Sequence, residues 1–383
     1  MAMIRQISGD DALFAETLRR YAIERLMPDY QRWRSEPYPA DRIPELGELG
    51  VLGMRVPEEF GGSAATFPQL GLAVEELCRG DFNVNYFLQL SALAAELIKH
   101  GDAELQGQYL PALATGEETI AFALTEPGVG SDAANLSCRA RRDGSDWIIT
   151  GEKASISFAG FAQSTTLFAR TGGAGARGIT CFLVPLDLPG VERQVYRSAG
   201  SAMTARGSLH FDDVRIPAHH QIGEEGTGFV LAMQGFDYNR AVIAHACIGA
   251  AAQSLDEFVE YAKQRETFGK PLARHEGIAF QVAEHLSLLH SARLLARETL
   301  ELAEAGLPHT TQASMAKWLG PKYSAEAIHA VIRMFGWPGY SADMHHELRM
   351  KDVMGLEIGD GTPEIMKSII ARETFGREYA SHR

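Results

Sequence analysis

The sequence contains few cysteines and no long apolar run. Its four cysteines, at positions 78, 138, 181 and 247, are scattered without a Cys-x-x-Cys pair. This spacing argues against a disulfide framework and a zinc site, and it favours buried free thiols in a reducing compartment. No apolar stretch reaches the about 20 residues that a membrane-spanning helix requires. We therefore expect no metal and no membrane partner.

A signal peptide and an excess of basic residues are also missing. The stretch 1–14 carries Arg5, Asp10 and Asp11 and has no apolar core leading to a cleavage site, so we expect a cytoplasmic location. Lys and Arg total 36 against 49 for Asp and Glu, which gives a net charge of -13. Because that charge repels a phosphate backbone, we expect no nucleic-acid partner.

The sequence changes texture twice along its 383 residues. Apolar residues recur at helical spacing from about residue 11 to residue 113, and short β-branched and aromatic runs follow from 118 to 217. The helical period returns after the glycine-rich link 223–228. The sequence therefore predicts an α+β protein with domains at 1–117 (helical), 118–222 (β) and 223–383 (helical).

Individual elements can also be predicted from these patterns. Strands are predicted at 119–124, 147–150, 165–169, 179–184 and 209–214, with the glycine-rich run 172–178 as a hairpin turn. In the last third, helices are predicted over about 228–264, 278–305 and 311–334, and again from 363.

Taken singly, the candidate motifs are weak. The run 126–132 has closely spaced glycines but fits a surface loop, and 265–270 fits the end of a long helix. The pairs His219–His220 and His345–His346 have no third ligand at a metal-site spacing and fit solvated loop histidines better. The stretch 359–364 reads as a turn with Thr362 as the cap of the next helix.

Together and in this order, however, four stretches resemble the acyl-CoA dehydrogenase family across nearly the whole chain. They are Leu124–Asp132, Gly151–Lys153, Phe211–Pro217 and Arg265–Phe268. The resemblance implies an N-terminal helical domain, a middle β-barrel or sandwich domain and a C-terminal four-helix bundle. It also implies non-covalently bound FAD, a homotetramer, an acyl-CoA substrate, and electron-transfer flavoprotein as the electron acceptor.

The resemblance assigns the cofactor-binding positions residue by residue. Thr125, beside Leu124, matches a hydroxyl at the flavin pyrimidine edge, and Ser157 matches a contact to flavin N5. Arg265 and Thr267 match residues that meet the FAD pyrophosphate across a subunit boundary. The other positions assigned to the cofactor are Ser155, Phe268, Glu276, Arg333, Gly336, Trp337, Thr362 and Glu364.

The substrate positions follow in the same way. Asp360 matches the catalytic base that takes the α-proton. Asn239 stands where some family members carry the base instead, but an amide cannot abstract a proton at neutral pH. The positions assigned to the acyl-CoA are Ser131, Asp237, Arg240, Gly359, Gly361 and Arg372.

Departures from the family pattern point to the acyl group. Asp360 replaces the usual Glu and is shorter by one methylene, about 1.5 Å. Gly359 replaces a bulky aromatic residue, Ser155 a Trp and Glu276 a Gln. A shortened base with more space suits an α-branched or ring-bearing acyl group, and the pattern resembles the cyclohexanecarboxyl-CoA dehydrogenase branch, whose members use an Asp base.

Several alternatives stay open at this point. If Phe158, Trp337 and Tyr340 refill the space, the substrate is an ordinary short chain. A nitroalkane-type flavin oxidase, a dehydrogenase of carrier-protein thioesters and a non-catalytic nucleic-acid-associated family member are further alternatives. A 1,4-removal of two hydrogens from a cyclohexene ring would need a second base. The expected pocket wall, 87–93, offers Gln89 and Ser91 but no carboxylate, which favours α,β-desaturation.

Overall fold

The first third of the chain is helical, as predicted. In the computed structural model, which describes residues 9–34, 36 and 39–379, α3 begins at a capping box in which Thr66 and Gln69 exchange hydrogen bonds of 3.3 and 3.0 Å. The prediction that the stretch 1–14 holds no signal peptide falls mostly on residues 1–8, which lie outside the described residues. The helices are α1 (Gly9–Tyr21), α2 (Arg42–Glu48), α3 (Phe67–Leu77), α4 (Val84–Ile98) and α5 (Ala103–Thr115).

The middle third forms one mixed sheet with strand order β6-β7-β3-β2-β4-β5-β8, and β1 pairs in parallel with β4. All five predicted strands are present, and the run 172–178 joins the antiparallel pair β4–β5, which confirms the hairpin. The prediction missed β2, β6 and β8. The strands are β1 (Ile120–Ala123), β2 (Arg139–Asp143), β3 (Asp146–Ile156), β4 (Ser164–Arg170), β5 (Ile179–Pro185), β6 (Val191–Val195), β7 (Gly207–Pro217) and β8 (Gln221–Ile222).

The last third is a helical bundle around a long central helix, α6. Its middle, Asn239–Ala252, is buried on every side, which is typical of a helix inside a larger core. The elements are α6 (Gly228–Gln264), β9 (Glu266–Thr267), β10 (Lys270–Pro271), α7 (Glu276–Glu304), α8 (Thr310–Phe335), α9 (Trp337–Tyr340), α10 (His346–Ile358) and α11 (Pro363–Phe375). No helix within the described ranges is long and apolar enough to cross a membrane.

Two glycines set how closely the neighbouring helices approach α6. A Cβ at Gly249 would lie 2.1 Å from the Glu75 carbonyl oxygen of α3, and one at Gly320 of α8 would lie 2.6 Å from the Ala244 Cβ. Neither position has room for a larger residue. Helices α3 and α8 therefore contact α6 almost backbone to backbone.

The cysteines and histidines test two of the predictions. All four cysteines are free and buried, as predicted. The expectation of solvated histidines is wrong for His220 and His346, which are both buried. His220 Nδ1 lies 2.8 Å from the Leu183 carbonyl oxygen, and His346 Nδ1 lies 3.2 Å from Ser254 Oγ, so each ring is held by a polar partner inside the core.

Two buried aspartates join the N-terminal domain to the loop before β7 and to α10. Asp352 accepts hydrogen bonds from Tyr30 Oη at 2.7 Å and from the Ser201 backbone N at 2.6 Å. Asn83 Nδ2 donates to Asp81 at 3.2 Å and to Asp352 at 3.4 Å. Burial raises the pKa of Asp352 to about 7 and that of Asp81 to about 6.

The raised pKa of Asp352 predicts that the stability of the folded protein depends on pH. Between pH 3.8, the ordinary pKa of the group, and about 7, folded Asp352 holds a proton that the unfolded chain releases. Its contribution to stability is therefore fully present below about pH 4 and is lost as the pH rises through about 7. Because Asp352→Asn cannot titrate, we expect the wild-type Tm to fall relative to the variant by about 2 °C or more between pH 5 and pH 8.

Thermal unfolding followed by circular dichroism across this pH range measures the effect. The exposed Asp212→Asn variant is the control for loss of a carboxylate. A difference in Tm between wild type and Asp352→Asn that does not change with pH would contradict the prediction.

Candidate active site

A pocket lies where the three domains meet. Its lining includes three hydroxyl-bearing residues, Thr125, Ser155 and Ser157, which form what we call the hydroxyl wall, and it also includes Asp360 and Asn239. The rest of the lining is mostly apolar: Tyr86, Gln89, Leu90, Leu93, Phe122, Leu124, Ile156, Arg206, Phe236, Leu356 and Gly359. The structure thus brings six of the predicted site residues into one pocket: Leu124, Thr125, Ser155, Ser157, Gly359 and Asp360.

Asp360 lies in the tight turn between α10 and α11. Its backbone has φ +57°, a left-handed conformation that Asp and Asn adopt more readily than most residues. Gly361 follows with φ +111°, and a Cβ there would lie 2.5 Å from Met366 Cε. Thr362 then caps α11 by accepting a hydrogen bond from the Ile365 backbone N at 3.5 Å. The turn therefore projects the carboxylate from a short, defined loop between two helices.

Three buried side chains hold this turn. Asn239 Nδ2 donates to Asp360 Oδ2 at 2.7 Å, and Arg240 Nε donates to the Asp360 carbonyl oxygen at 3.4 Å. Lys317 Nζ donates to the Gly361 carbonyl oxygen at 3.0 Å. Burial lowers the pKa of Lys317 to about 8, although the Asp360 charge opposes the shift. The turn that carries Asp360 is thus held by donors from both α6 and α8.

Arg240 is engaged by other groups of this chain. It pairs with Asp237 at 2.9 Å, and Thr310 Oγ1 donates to the other Asp237 oxygen at 2.6 Å. Burial lowers the pKa of Arg240, and the nearby Asp237 and Asp360 charges oppose that shift. The pair therefore braces the turn that carries Asp360, and its predicted contact with the substrate stays a prediction.

A buried ion pair holds the hydroxyl wall. Lys153 Nζ donates to the Leu124 carbonyl oxygen at 2.9 Å and to Glu126 Oε1 at 2.8 Å. The Ala154 backbone N donates to the Thr125 carbonyl oxygen at 2.9 Å. Since these bonds tie β3 to the segment that carries Thr125, they fix the position of its hydroxyl in the pocket.

Glu126 is saturated with donors. Besides Lys153, it accepts from the Ser137 backbone N and Oγ, both at 2.7 Å, and from the Cys138 backbone N at 2.9 Å. Burial alone would raise the pKa of Glu126, but the Lys153 charge and these hydrogen bonds bring it below its ordinary value. Burial lowers the pKa of Lys153, and the Glu126 charge opposes the shift. The two side chains therefore stabilise each other as an ion pair.

The remaining predicted residues lie outside the pocket. Arg265, Thr267 and Phe268 belong to the β9–β10 hairpin at the end of α6, and Phe268 is 98% exposed. The end of α8 lies at the same end of the bundle, because Phe335 contacts Tyr261 with ring centroids 4.6 Å apart. Of the others, Glu276 begins α7, Arg333, Gly336 and Trp337 surround the end of α8, Ser131 lies on an exposed loop, and Glu364 and Arg372 lie on α11.

The hypothesis that Phe158, Trp337 and Tyr340 refill the pocket is wrong, because none of the three lines it. Trp337 is 80% exposed and Tyr340 67% exposed, so neither enters the pocket of its own chain. Phe158 is buried and stacks on Phe87 with centroids 4.6 Å apart, outside the lining. The space beside Gly359 and Ser155 is thus part of the pocket.

Sequence reasoning missed two residues, Asn239 and Lys317, that hold Asp360 and its turn. It considered Asn239 only as a possible base and did not identify it as the donor to Asp360. It did not identify Lys317, although this charge falls on a stripe of small residues, Ala313, Ala316 and Gly320, that predicts burial. A charged residue on a predicted buried helix face was the available signal.

The donor set of the pocket suits a flavin. The three hydroxyls of the hydroxyl wall can donate to the carbonyl oxygens and ring nitrogens of a flavin, and the apolar lining residues can cover its ring. Thr125, Ser155 and Ser157 would hold such a group in the pocket that Asp360 also lines.

Comparisons with known proteins agree with this geometry. Three family profiles match in order: acyl-CoA dehydrogenase N-terminal domain at 8–117, middle domain at 121–214 and C-terminal domain at 226–375. A short-chain specific acyl-CoA dehydrogenase from Rattus norvegicus is 34% identical over 374 residues, which covers 96% of this chain and 90% of that protein.

Two further relatives are similar over nearly the full chain. An isobutyryl-CoA dehydrogenase from Dictyostelium discoideum is 31% identical and covers 96% of this chain and 89% of its own. The solved structure of a glutaryl-CoA dehydrogenase from Mycobacterium smegmatis in complex with FADH2 has a TM-score of 0.93 and 28% identity, covering 100% of this chain and 98% of its own. The predicted order of helical, β and helical domains is confirmed.

The buried ion pair behind the hydroxyl wall gives a stability prediction. Lys153→Met leaves Glu126 buried without its cation, and breaking such a pair costs about 3–5 kcal/mol. We expect a loss of this size in the free energy of unfolding, measured by urea titration, together with less FAD retained per chain. Lys322→Met, which breaks an exposed pair with Glu326 on α8, is the control and should cost less than about 1 kcal/mol. Equal losses in the two variants would contradict the prediction.

Proposed function

This chain belongs to the acyl-CoA dehydrogenase family and is an FAD-dependent oxidoreductase that dehydrogenates acyl-CoA thioesters, and from that premise we propose its substrate and base. The proposed substrate carries an α-branched or cyclic acyl group, and the proposed reaction converts cyclohexanecarboxyl-CoA to cyclohex-1-ene-1-carboxyl-CoA. The proposed base is Asp360.

The position of Asp360 is the observation that carries the proposal. Within the described part of the chain it is the only carboxylate in the lining of the pocket that also contains the hydroxyl wall. A carboxylate there can take the α-proton of a thioester, and the Asp360 backbone N–H can stabilise the charge that develops on the carbonyl oxygen. When bound, FAD would supply the acceptor for the hydride that leaves the β-carbon. A single carboxylate supports α,β-desaturation, because 1,4-removal from a ring needs a second base.

The shape of the pocket supports a bulky α-carbon. Gly359 lines the pocket, and a Cβ at this position would have Leu356 at 3.5 Å as its nearest neighbour, so the space is free because the residue is glycine. Ser155, which also lines the pocket, has a small side chain. A branch or ring at the α-carbon can fill this space while the short Asp360 side chain stays within reach.

A short straight-chain acyl-CoA is the second candidate. The name of the rat relative specifies short-chain acyl-CoA substrates, and that of the Dictyostelium relative specifies isobutyryl-CoA, an α-branched substrate. The names of these two relatives therefore support one candidate each.

Assembly and electron transfer are further parts of the proposal. We infer that the chain forms a homotetramer in which Arg265, Thr267 and Phe268 contact the FAD of a neighbouring subunit. The exposed position of this hairpin supports the inference, since the Phe268 side chain is 98% exposed in its own chain. Electron-transfer flavoprotein is the proposed acceptor. The domain boundaries, the cytoplasmic location and the individual site residues also stay predictions.

An anaerobic substrate test separates the candidates. We expect cyclohexanecarboxyl-CoA or isobutyryl-CoA to bleach the flavin absorbance faster than butyryl-CoA. Asp360→Asn keeps the size and the left-handed backbone but removes the base, so flavin reduction should slow by about 10²–10⁴-fold. Stopped-flow absorbance measures both effects.

The exposed Asp343→Asn variant is the control and should reduce its flavin at the wild-type rate. Faster bleaching by butyryl-CoA, by a nitroalkane or by a carrier-protein thioester would contradict the ring or branched substrate. An Asp360→Asn protein that is reduced as fast as wild type would contradict the assignment of the base.

The proposed subunit contact is tested at Phe268. Aspartate tolerates the φ of +51° observed at position 268, so we expect Phe268→Asp to leave the fold of the subunit unchanged. The oligomer should dissociate and the ratio of FAD to protein should fall, as measured by light scattering and absorbance. Leu13→Asp, at an apolar residue on α1 that is 67% exposed, is the control. Unchanged mass and FAD content in Phe268→Asp would refute the contact.

A further inference from the structure

The two carboxylate oxygens of Asp360 are not equivalent. Asn239 Nδ2 donates to Oδ2 at 2.7 Å, whereas Oδ1 has no hydrogen-bond partner in the described part of the chain. We propose that Asn239 is the positioning residue for the base and that it holds Oδ2 so that Oδ1 is the atom that takes the α-proton. The inference rests on the proposed function, because it takes Asp360 as the base.

The backbone contacts of the turn do not orient the carboxylate. Arg240 and Lys317 each donate to a main-chain carbonyl oxygen, that of Asp360 and that of Gly361. They fix where the turn lies but leave the two side-chain torsions of Asp360 free. Asn239 is the one described side chain that donates to the carboxylate itself. The direction of the base is therefore set from α6 by this amide.

The amide of Asn239 is itself oriented. Its second hydrogen bond goes to Gln89 Oε1 at 3.1 Å, and Gln89 Nε2 donates to Asn85 Oδ1 at 2.6 Å. Asn85 Nδ2 in turn donates to the Phe82 carbonyl oxygen. Two of the three amides, Asn85 and Gln89, therefore donate away from the base, toward the Phe82 carbonyl oxygen in the turn before α4. The Asn239 NH2 group donates both to Gln89 and to the Asp360 carboxylate, which links this series of hydrogen bonds to the base.

The remaining atom of Asn239 supports the same orientation. Its Oδ1 is buried and has no hydrogen-bond partner among the described residues. Rotating the amide would point this oxygen at the Asp360 carboxylate, where two acceptors would repel each other. A buried acceptor without a partner lowers stability. The orientation of the Asn239 amide therefore costs stability at Oδ1 but directs the NH2 group at the base.

The proton balance of the step agrees with this division of roles. The α-carbon–hydrogen bond breaks, its electron pair stays on the substrate as an enolate, and the proton moves to Asp360 Oδ1. Oδ2 then becomes the carbonyl oxygen of the neutral acid and still accepts from Asn239. The hydrogen bond is therefore kept before and after the transfer, so that the base does not reorient during the step.

A purely structural role for Asn239 predicts a different pattern of variants. Asn239 is fully buried between α4 and the base turn. Leu is close to Asn in size but cannot donate, whereas Gln is larger but keeps the NH2 group. If the residue only fills space, Leu is the better replacement. If it positions the base, Gln is the better replacement.

The test measures deprotonation without hydride transfer. Methylthioacetyl-CoA, the 3-thia analogue of butyryl-CoA, has an acidic α-carbon but a sulphur in place of the β-carbon, so its enolate accumulates and gives a long-wavelength charge-transfer absorbance with the oxidised flavin. With Asn239→Leu we expect this absorbance to form about 10²-fold more slowly than in wild type, with an unchanged analogue dissociation constant. Asn239→Gln should recover about tenfold of that loss.

Thr299→Val is the matched control for removing a buried polar group, because Thr299 is buried on α7 and bonds only within its helix. It should form the absorbance at the wild-type rate. Wild-type rates in Asn239→Leu, or a slower rate in Asn239→Gln than in Asn239→Leu, would overturn the inference. If Asp360→Asn forms the absorbance at the wild-type rate, the proposed base itself fails, and that result is distinct from a failure confined to Asn239.

Discussion

The close approach of α3 and α8 to α6 is the constraint on which the site depends. Gly249 and Gly320 allow these helices to contact α6 without intervening side chains. That packing buries the middle of α6 completely. Asn239 and Arg240 extend from this buried part of α6 to the turn that carries Asp360. If α6 lay further from that turn, the Asp360 carboxylate would lose Asn239, its only side-chain donor among the described residues.

Two buried lysines act in the same way on two segments that border the pocket. Lys153 donates to the carbonyl oxygen of Leu124, which precedes Thr125, and Lys317 donates to that of Gly361, which follows Asp360. Both cations are withdrawn from water, which lowers the pKa of each. Burying each lysine costs free energy, and in return its hydrogen bond holds a main-chain segment in place. These two segments carry the Thr125 hydroxyl and the Asp360 carboxylate.

Periodicity predicted most of the fold, because the helices and the buried strands carry regular apolar patterns. It missed β2, which reads Arg-Ala-Arg-Arg-Asp, and the edge strand β6, because their side chains are mostly exposed and only pairing with neighbouring strands defines them. Family motifs led to Asp360 and Thr125, which the structure brings into one pocket. The role of Asn239 depends on a contact between residues 121 positions apart, and no local pattern encodes such a contact.

The four buried thiols give the folded chain a built-in set of reporters. Burial raises the pKa of every one, to about 11 for Cys138, so almost no thiolate is available to a reagent while the structure is closed. They lie at the end of α3, before β2, in β5 and in the middle of α6. Their rates of alkylation therefore report how often each layer of the molecule opens, and Cys247 reports the opening of the helix that carries the amide of the site.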